Sequence, residues 1–187
     1  MRIMDVGTET GIRGGVDPAV ASLISALCSD ETGVRERARV QLVKHGRDAV
    51  EPLRHLLKSP DRQVRWEAVK TLGEIKGERA VDALVLSLSD EKRDIRWIAA
   101  QGLIACGETT LIPLLEEVIA HADSEWVRDG VAHILRSLRD KPRYAVAMPV
   151  LDALNGATPS FDAPIVAYDI LRSIKSDRWM GRDISRQ

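Results

Sequence analysis

The residues that could do chemistry are few. Histidines stand at His45, His55, His121 and His133, and cysteines at Cys28 and Cys106. A zinc hydrolase of the H-E-x-x-H type needs two histidines on one helix face with a glutamate beside the first. None of the four histidines is followed by Glu. His45 and His121 fall near expected helix ends, where a cation suits the dipole. Cys106, in Ala105-Cys106-Gly107, ends a helix. The negative end of a helix disfavours a thiolate, and activated cysteines prefer N-termini and cationic neighbours. Cys28 follows an apolar stripe and reads as core filler. Glu116 and Glu117 are adjacent on a helix, so they point apart and cannot share a proton-transfer task. No G-x-S-x-G, G-x-x-x-x-G-K-[ST] or G-x-G-x-x-G occurs. The expectation is a non-enzymatic chain with no catalytic residue, no metal and no cofactor.

What the sequence does offer is recognition. Seven residues are aromatic, and four of them are Trp: Trp66, Trp97, Trp126 and Trp179. Trp is the type most enriched at interaction hot spots. Arg outnumbers Lys by 20 to 7, which favours fixed, forked ion pairs over loose surface charge. A core with so few rings must be built from Leu, Val, Ile and Ala, which points to packed helices rather than a β-sandwich.

The elements that position these residues repeat. Val34-Arg35, Val64-Arg65, Ile95-Arg96 and Val127-Arg128 are each a β-branched residue followed by Arg, spaced by 30, 31 and 32 residues. With the β-branched residue as position zero, position four holds Ala38, Ala68, Ala99 and Val131. Position eight holds Leu42, Leu72, Leu103 and Leu135. Zero, four and eight share one helix face. A second helix precedes each, with Leu27, Leu57, Leu88 and Val118 on its inner face.

Asp17-Pro18 is an N-cap followed by a first-turn proline. Gly46, Gly77 and Gly107 are placed to end three of the later helices, and Asp30, Asp61, Asp90 and Asp123 to cap them at their starts. The expected pairs are 18–29 with 33–45, 48–58 with 63–76, 79–89 with 94–106, 109–121 with 125–139, and 143–155 with 162–175. The fifth aligns with Ala163 at zero, Ala167 at four and Leu171 at eight, and has Pro164 where the others have Arg. Such an atypical last repeat is expected where the outer face meets water. At about 8–10 Å between packed helices, five pairs make a slab about 40–50 Å long.

Residues 1–16 carry four glycines and read as a flexible tail. Residues 17–176 form the repeat domain, and 177–187 a C-terminal tail in which Trp179 could cover the end of the stack. No uninterrupted apolar run approaches the roughly 18 residues of a membrane span. Two distant cysteines without a C-x-x-C suit a reduced, cytoplasmic chain. A net charge of -1 argues against an electrostatic nucleic-acid binder, although Arg35, Arg37 and Arg39 form a local basic run.

The segment Asp61-Arg62-Gln63-Val64-Arg65-Trp66-Glu67-Ala68-Val69-Lys70-Thr71-Leu72-Gly73 resembles HEAT repeats, and Asp94 to Leu103 repeats it. The period near 31 is similar to the short HEAT-like repeats named after phycobilisome lyases. The tetratricopeptide and ankyrin signatures are absent. The resemblance spans about residues 18–175. It implies an all-α fold, an α-solenoid (a right-handed superhelix) of about five antiparallel helix pairs, with the second helices lining a concave face. It also implies that Arg35, Arg65, Arg96 and Arg128 join an inter-repeat ladder with turn acids such as Asp61, Asp90 and Asp123. The metal-binding HEAT hydroxylases of the deoxyhypusine type use His-Glu pairs, which this chain lacks.

Position two lies about 200° from position zero. It holds Glu36, Trp66, Trp97 and Asp129. Position six holds Val40, Lys70, Gln101 and His133, and position nine Val43, Gly73, Ile104 and Arg136. These columns are the expected floor of the concave face. Trp66, Trp97, Arg65, Arg96, Lys70, Gln101, Glu36, Asp129 and His133 are the candidate partner-binding residues. Trp126, just before position zero, reads as a helix-start packing residue. The function expected is a scaffold or adaptor that holds a peptide or helix of a protein partner. A bilin lyase or its subunit is the alternative implied by the resemblance, and a HEAT-like nucleic-acid binder a further one.

Overall fold

The structure is a computed structural model that describes residues 16–183, with side chains to 176. The tail read over 1–16 lies outside the described residues except for Val16, and so does the side chain of Trp179. The described chain is helical, with α1 (Pro18–Leu27), α2 (Thr32–His45), α3 (Arg47–Leu56), α4 (Arg62–Ile75), α5 (Glu78–Leu86), α6 (Arg93–Cys106), α7 (Leu111–Ala120), α8 (Glu125–Leu138), α9 (Met148–Leu154) and α10 (Pro159–Asp183). Short 3-10 turns follow α5 and α6 and precede α9. The helices stack as an all-α solenoid.

Position four and position eight form its core. Ala38, Ala68, Ala99 and Val131 are buried, and Leu42, Leu72, Leu103 and Leu135 are fully so. Small residues at position four let the helices approach, and the leucines fill the space between the two rows. First helices α1, α3, α5 and α7 stack as one row, and second helices α2, α4, α6 and α8 as the other. The tightest approach is between α4 and α6. A Cβ placed on Gly73 would stand 3.0 Å from the Cα of Gly102. Gly73 at position nine is therefore a helix contact and not part of an open floor. Val43 and Ile104 at the same position are half-buried, and Arg136 is the exposed member.

The helix ends follow the expected logic only in part. Asp17 accepts a hydrogen bond from the Ala19 amide at 2.8 Å, ahead of Pro18. Gly46 and Gly107 end α2 and α6 with φ of 56° and 63°. In α4 the left-handed residue is Lys76, φ 61°, and Gly77 opens α5 instead. Asp61 caps α4 by accepting from the Gln63 amide at 2.7 Å. The other three acids do not take that position. Asp90 accepts from the amide of Lys92, two residues ahead of the cap position of α6, and Ser124 replaces Asp123 as the cap of α8. A hydroxyl beside the helix start competes with the acid one residue further out.

Residues Arg93–Ala120 contain an 18-residue window of mean hydropathy 1.4, more apolar than its short uninterrupted runs suggest. The left-handed Gly107 and the 3-10 turn after it divide this stretch into α6 and α7.

The fifth pair departs from the register. α9 packs on α8, in the row of second helices, while α10 packs on α7, in the row of first helices. The two rows are exchanged relative to the expected order. Ala163, Ala167 and Leu171 are buried as read, but the helices they meet are α7 and α9. A bond between Lys175 Nζ and Glu116 at 3.1 Å also ties α10 to α7. The cause lies just upstream. Tyr144, in the 3-10 segment before α9, is fully buried. Its hydroxyl donates to the Gly107 carbonyl at 3.0 Å and also meets the Thr110 hydroxyl. That anchor holds the connection across the start of α7 and delivers the short α9 beside α8. α10 continues to Asp183, past the boundary read at 176.

Candidate functional site

Four equivalent arginines build the edge of the site. Each donates from Nη1 to the carbonyl six residues before it: Arg35 to Ser29 at 2.9 Å, Arg65 to Ser59 at 2.9 Å, Arg96 to Asp90 at 2.7 Å and Arg128 to Ala122 at 2.6 Å. These carbonyls lie where the first helix of each pair has ended and have lost their helical partners. The repeated Arg therefore closes its own interhelical turn.

The forward contacts differ from pair to pair. Arg35 reaches Glu67 at 3.0 Å, on α4 and not in a turn. Arg65 forks onto Asp90 at 2.8 Å and also meets Glu91. The hydrogen bond with Asp90 holds its guanidinium above the ordinary arginine range. Arg96 lies over the Trp126 ring at 4.4 Å. Arg128 opens onto a cleft of about 410 Å³ shared with Glu125, Asp129, Arg136 and Asn155. The residue at the following turn is Asn155, whose amide caps the Leu151 carbonyl, so the turn offers no carboxylate. Of the expected ladder acids only Asp90 takes the forward position. Arg62 adds a second link, with Nε on Asp94 at 3.2 Å.

Glu67 is the pair-forming residue that the repeat pattern did not single out. It is 3% exposed and accepts from Arg35, from Arg39 at 3.0 Å and from Gln63 at 3.2 Å. Arg39 Nε also lies 3.3 Å from Glu74, off the hydrogen-bond direction. This accounts for Arg35 and Arg39 internally and leaves Arg37 as the exposed member of the basic run. The run does not form a cationic patch.

The aromatic column is real, and its members are held in different ways. Trp97 is 57% exposed. Its ring meets His133 of α8 at 5.0 Å between centroids and a tilt of 31°. His133 Nε2 also lies 3.2 Å from Gln101 Nε2, so two residues of α6 hold the imidazole that α8 presents. Trp66 is half-buried, with Lys70 of its own helix over the ring at 4.8 Å. Trp126, in the first turn of α8, packs as expected at a helix start, but at the surface: it is 46% exposed and stacked under Arg96 of the Arg ladder. A lone Trp before position zero gives no sign of its partner, because that partner comes from the previous pair.

Among the candidate site residues, the structure brings together Trp97, Gln101 and His133, with Trp66 and Lys70 on the neighbouring helix. Arg65 is buried and its donors are used internally, which withdraws it from the floor. Arg96 is likewise committed to its turn and to Trp126. Glu36 lies 3.7 Å from Arg39, and Asp129 is exposed in the Arg128 cleft. The thiols carry no activation. Burial pushes Cys106 up from its ordinary pKa, and Cys28, read as core filler, is exposed at the end of α1. Among the described residues no group of three His, Cys, Asp or Glu could hold a metal ion.

Stacked antiparallel pairs, the first four each with one Arg closing the turn between its helices, define an α-solenoid built from a repeating unit. Residues 20–104 match the family model for HEAT repeats. That stretch carries HEAT repeats, and the next pair keeps the same register, with Val127, Val131 and Leu135 in the core. A search of curated proteins found no match.

Proposed function

We propose that the chain is a non-enzymatic interaction scaffold that holds a peptide or a helix of a protein partner along its row of second helices. HEAT repeats commonly serve protein interaction, and Trp97 carries the finer reading. It is more than half exposed, yet His133 fixes one side of its ring. An indole that is both exposed and positioned offers a large contact area with little entropy left to lose. Trp66 and Lys70 extend the surface towards α4, and Asp129, Glu36 and Arg136 supply a polar rim. The two unpaired thiols suit a reducing compartment such as the cytoplasm.

The test is selection of binding peptides from a library on the full chain, repeated on Trp66→Ala with Trp97→Ala. The double variant should keep its helical circular dichroism and bind the selected peptides at least about tenfold more weakly, as hot-spot truncation does. Undiminished binding would mean that the indoles only pack, and the reading would fail.

A further inference from the structure

The helix that ends the stack exposes a large apolar stripe among its polar groups. Terminal repeats usually turn a polar face to water. α10 instead turns outward Phe161, Ile165 and Tyr168, which are 69%, 51% and 56% exposed. Arg172, also exposed, follows on the same face. Their spacings of four, three and four place them on one side of a helix. That order reads the same in both directions. Two copies of α10 laid antiparallel across a two-fold axis between positions 166 and 167 therefore match. Ile165 meets the second copy's Tyr168, and Phe161 lies under the second copy's Arg172. Ring and guanidinium attract, and each contact forms twice, as a self-complementary interface requires.

The opposite end of the stack does not offer the same match. There α1 exposes Ala21, Ser22 and Ser25, which are small and give the rings nothing to fill. Head-to-tail stacking into a filament is disfavoured, and a closed pair is favoured. We infer that the chain pairs with a second copy of itself through the Phe161–Ile165–Tyr168–Arg172 face of α10, antiparallel about a two-fold axis. α10 belongs to the row of first helices, so this pairing is separate from the Trp97 surface.

Sedimentation of the full chain between about 1 and 100 µM, a range that covers interfaces of modest size, tests the inference. The mass should rise towards twice 20.7 kDa. Two variants then test the register. Phe161→Lys sets a cation against the second copy's Arg172 and should weaken association at least about tenfold, whereas Phe161→Glu forms an ion pair there and should hold it within about threefold. Position 161 is exposed, so both variants should fold, which circular dichroism checks. A monomer at every concentration overturns the inference, and covers the cases in which residues after 176 or another protein occupy the face. Equal weakening by both variants, or no effect of either, also overturns it, because both show that Phe161 does not face Arg172.

Discussion

The first four helix pairs and the last are held by different physics. In α1–α8 each turn is closed by an Arg, and Arg35, Arg65 and Arg96 also reach forward to the next pair. In the last pair a buried phenol, two alanines and a leucine do this work. Arg128, the last of the four, keeps its own turn and finds no carboxylate at the following one. A forward ladder needs a next pair in the same row. Where α9 and α10 exchange rows, the ladder ends, and apolar packing takes over.

The largest expected effect falls in the regular region. Glu67→Ala removes the acceptor shared by Arg35 and Arg39, whose side chains are 12% and 10% exposed. Breaking one side of a buried ion group costs about 3–5 kcal/mol, and the lower end applies because Glu36 and Glu74 remain near Arg39. Urea denaturation should show a loss of about 3 kcal/mol. A loss below about 1 kcal/mol would mean that the buried network contributes no more than surface pairs do.

The comparison between Arg65→Ala and Arg128→Ala is sharper. Both lose the bond to their own turn, and only Arg65 also loses a two-pronged ion pair. Arg65→Ala should cost about 2–3 kcal/mol and Arg128→Ala about 1 kcal/mol. Equal costs would show that turn closure is the whole role of the repeated Arg, and the contrast between the two regions would collapse to geometry.

For the last pair the corresponding variant is Tyr144→Phe. It removes a hydroxyl that bonds the Gly107 carbonyl and Thr110 in the interior, and should cost about 1–2 kcal/mol. Thr110 keeps its own bond to Gly107 at 2.8 Å, which limits the loss. Because repeat stability is a sum over neighbours, amide exchange should quicken in α9 and α10 and stay unchanged in α2 and α4. Uniform quickening along the chain would mean that the last pair is not a separate unit of stability.

The core register was legible because one residue type recurs at one helix position in every pair, as Leu42, Leu72, Leu103 and Leu135 show. The row exchange was not. Ala163, Ala167 and Leu171 announce a buried stripe, but a stripe does not say which neighbour it meets, and Tyr144 decides that from a connecting segment. The candidate site was legible as a column and not as a surface. Trp66 and Trp97 stand at equivalent positions, yet Lys70 comes from the same helix as its ring and His133 from the next. Arg65 was legible both as a ladder residue and as part of the floor, and its fork onto Asp90, 25 residues on, gives it to the ladder. The role shared by all four arginines depends on backbone carbonyls, which carry no signature in residue type.

The smallest effect concerns the outer link between α4 and α6, where Arg62 meets Asp94 at the surface. The hydrogen bond from Arg62 holds the Asp94 carboxyl below its ordinary pKa. The unfolded chain therefore takes up that proton first as pH falls. The pair adds stability above the ordinary carboxylate range and loses it as pH falls through the lowered value. Both side chains are more than a third exposed, so solvent and salt screen most of the attraction. Asp94→Asn should lower the melting temperature at pH 7 by about 1–2 °C in low salt and by less in about 1 M salt. At acid pH, below the ordinary carboxylate range, the loss should shrink as the wild-type carboxyl is protonated in its turn. A loss of the same size at both pH values would assign the contribution to packing or helix capping by Asp94 rather than to its charge, and would leave the buried Arg65–Asp90 fork as the link that carries the electrostatic ladder between these two pairs.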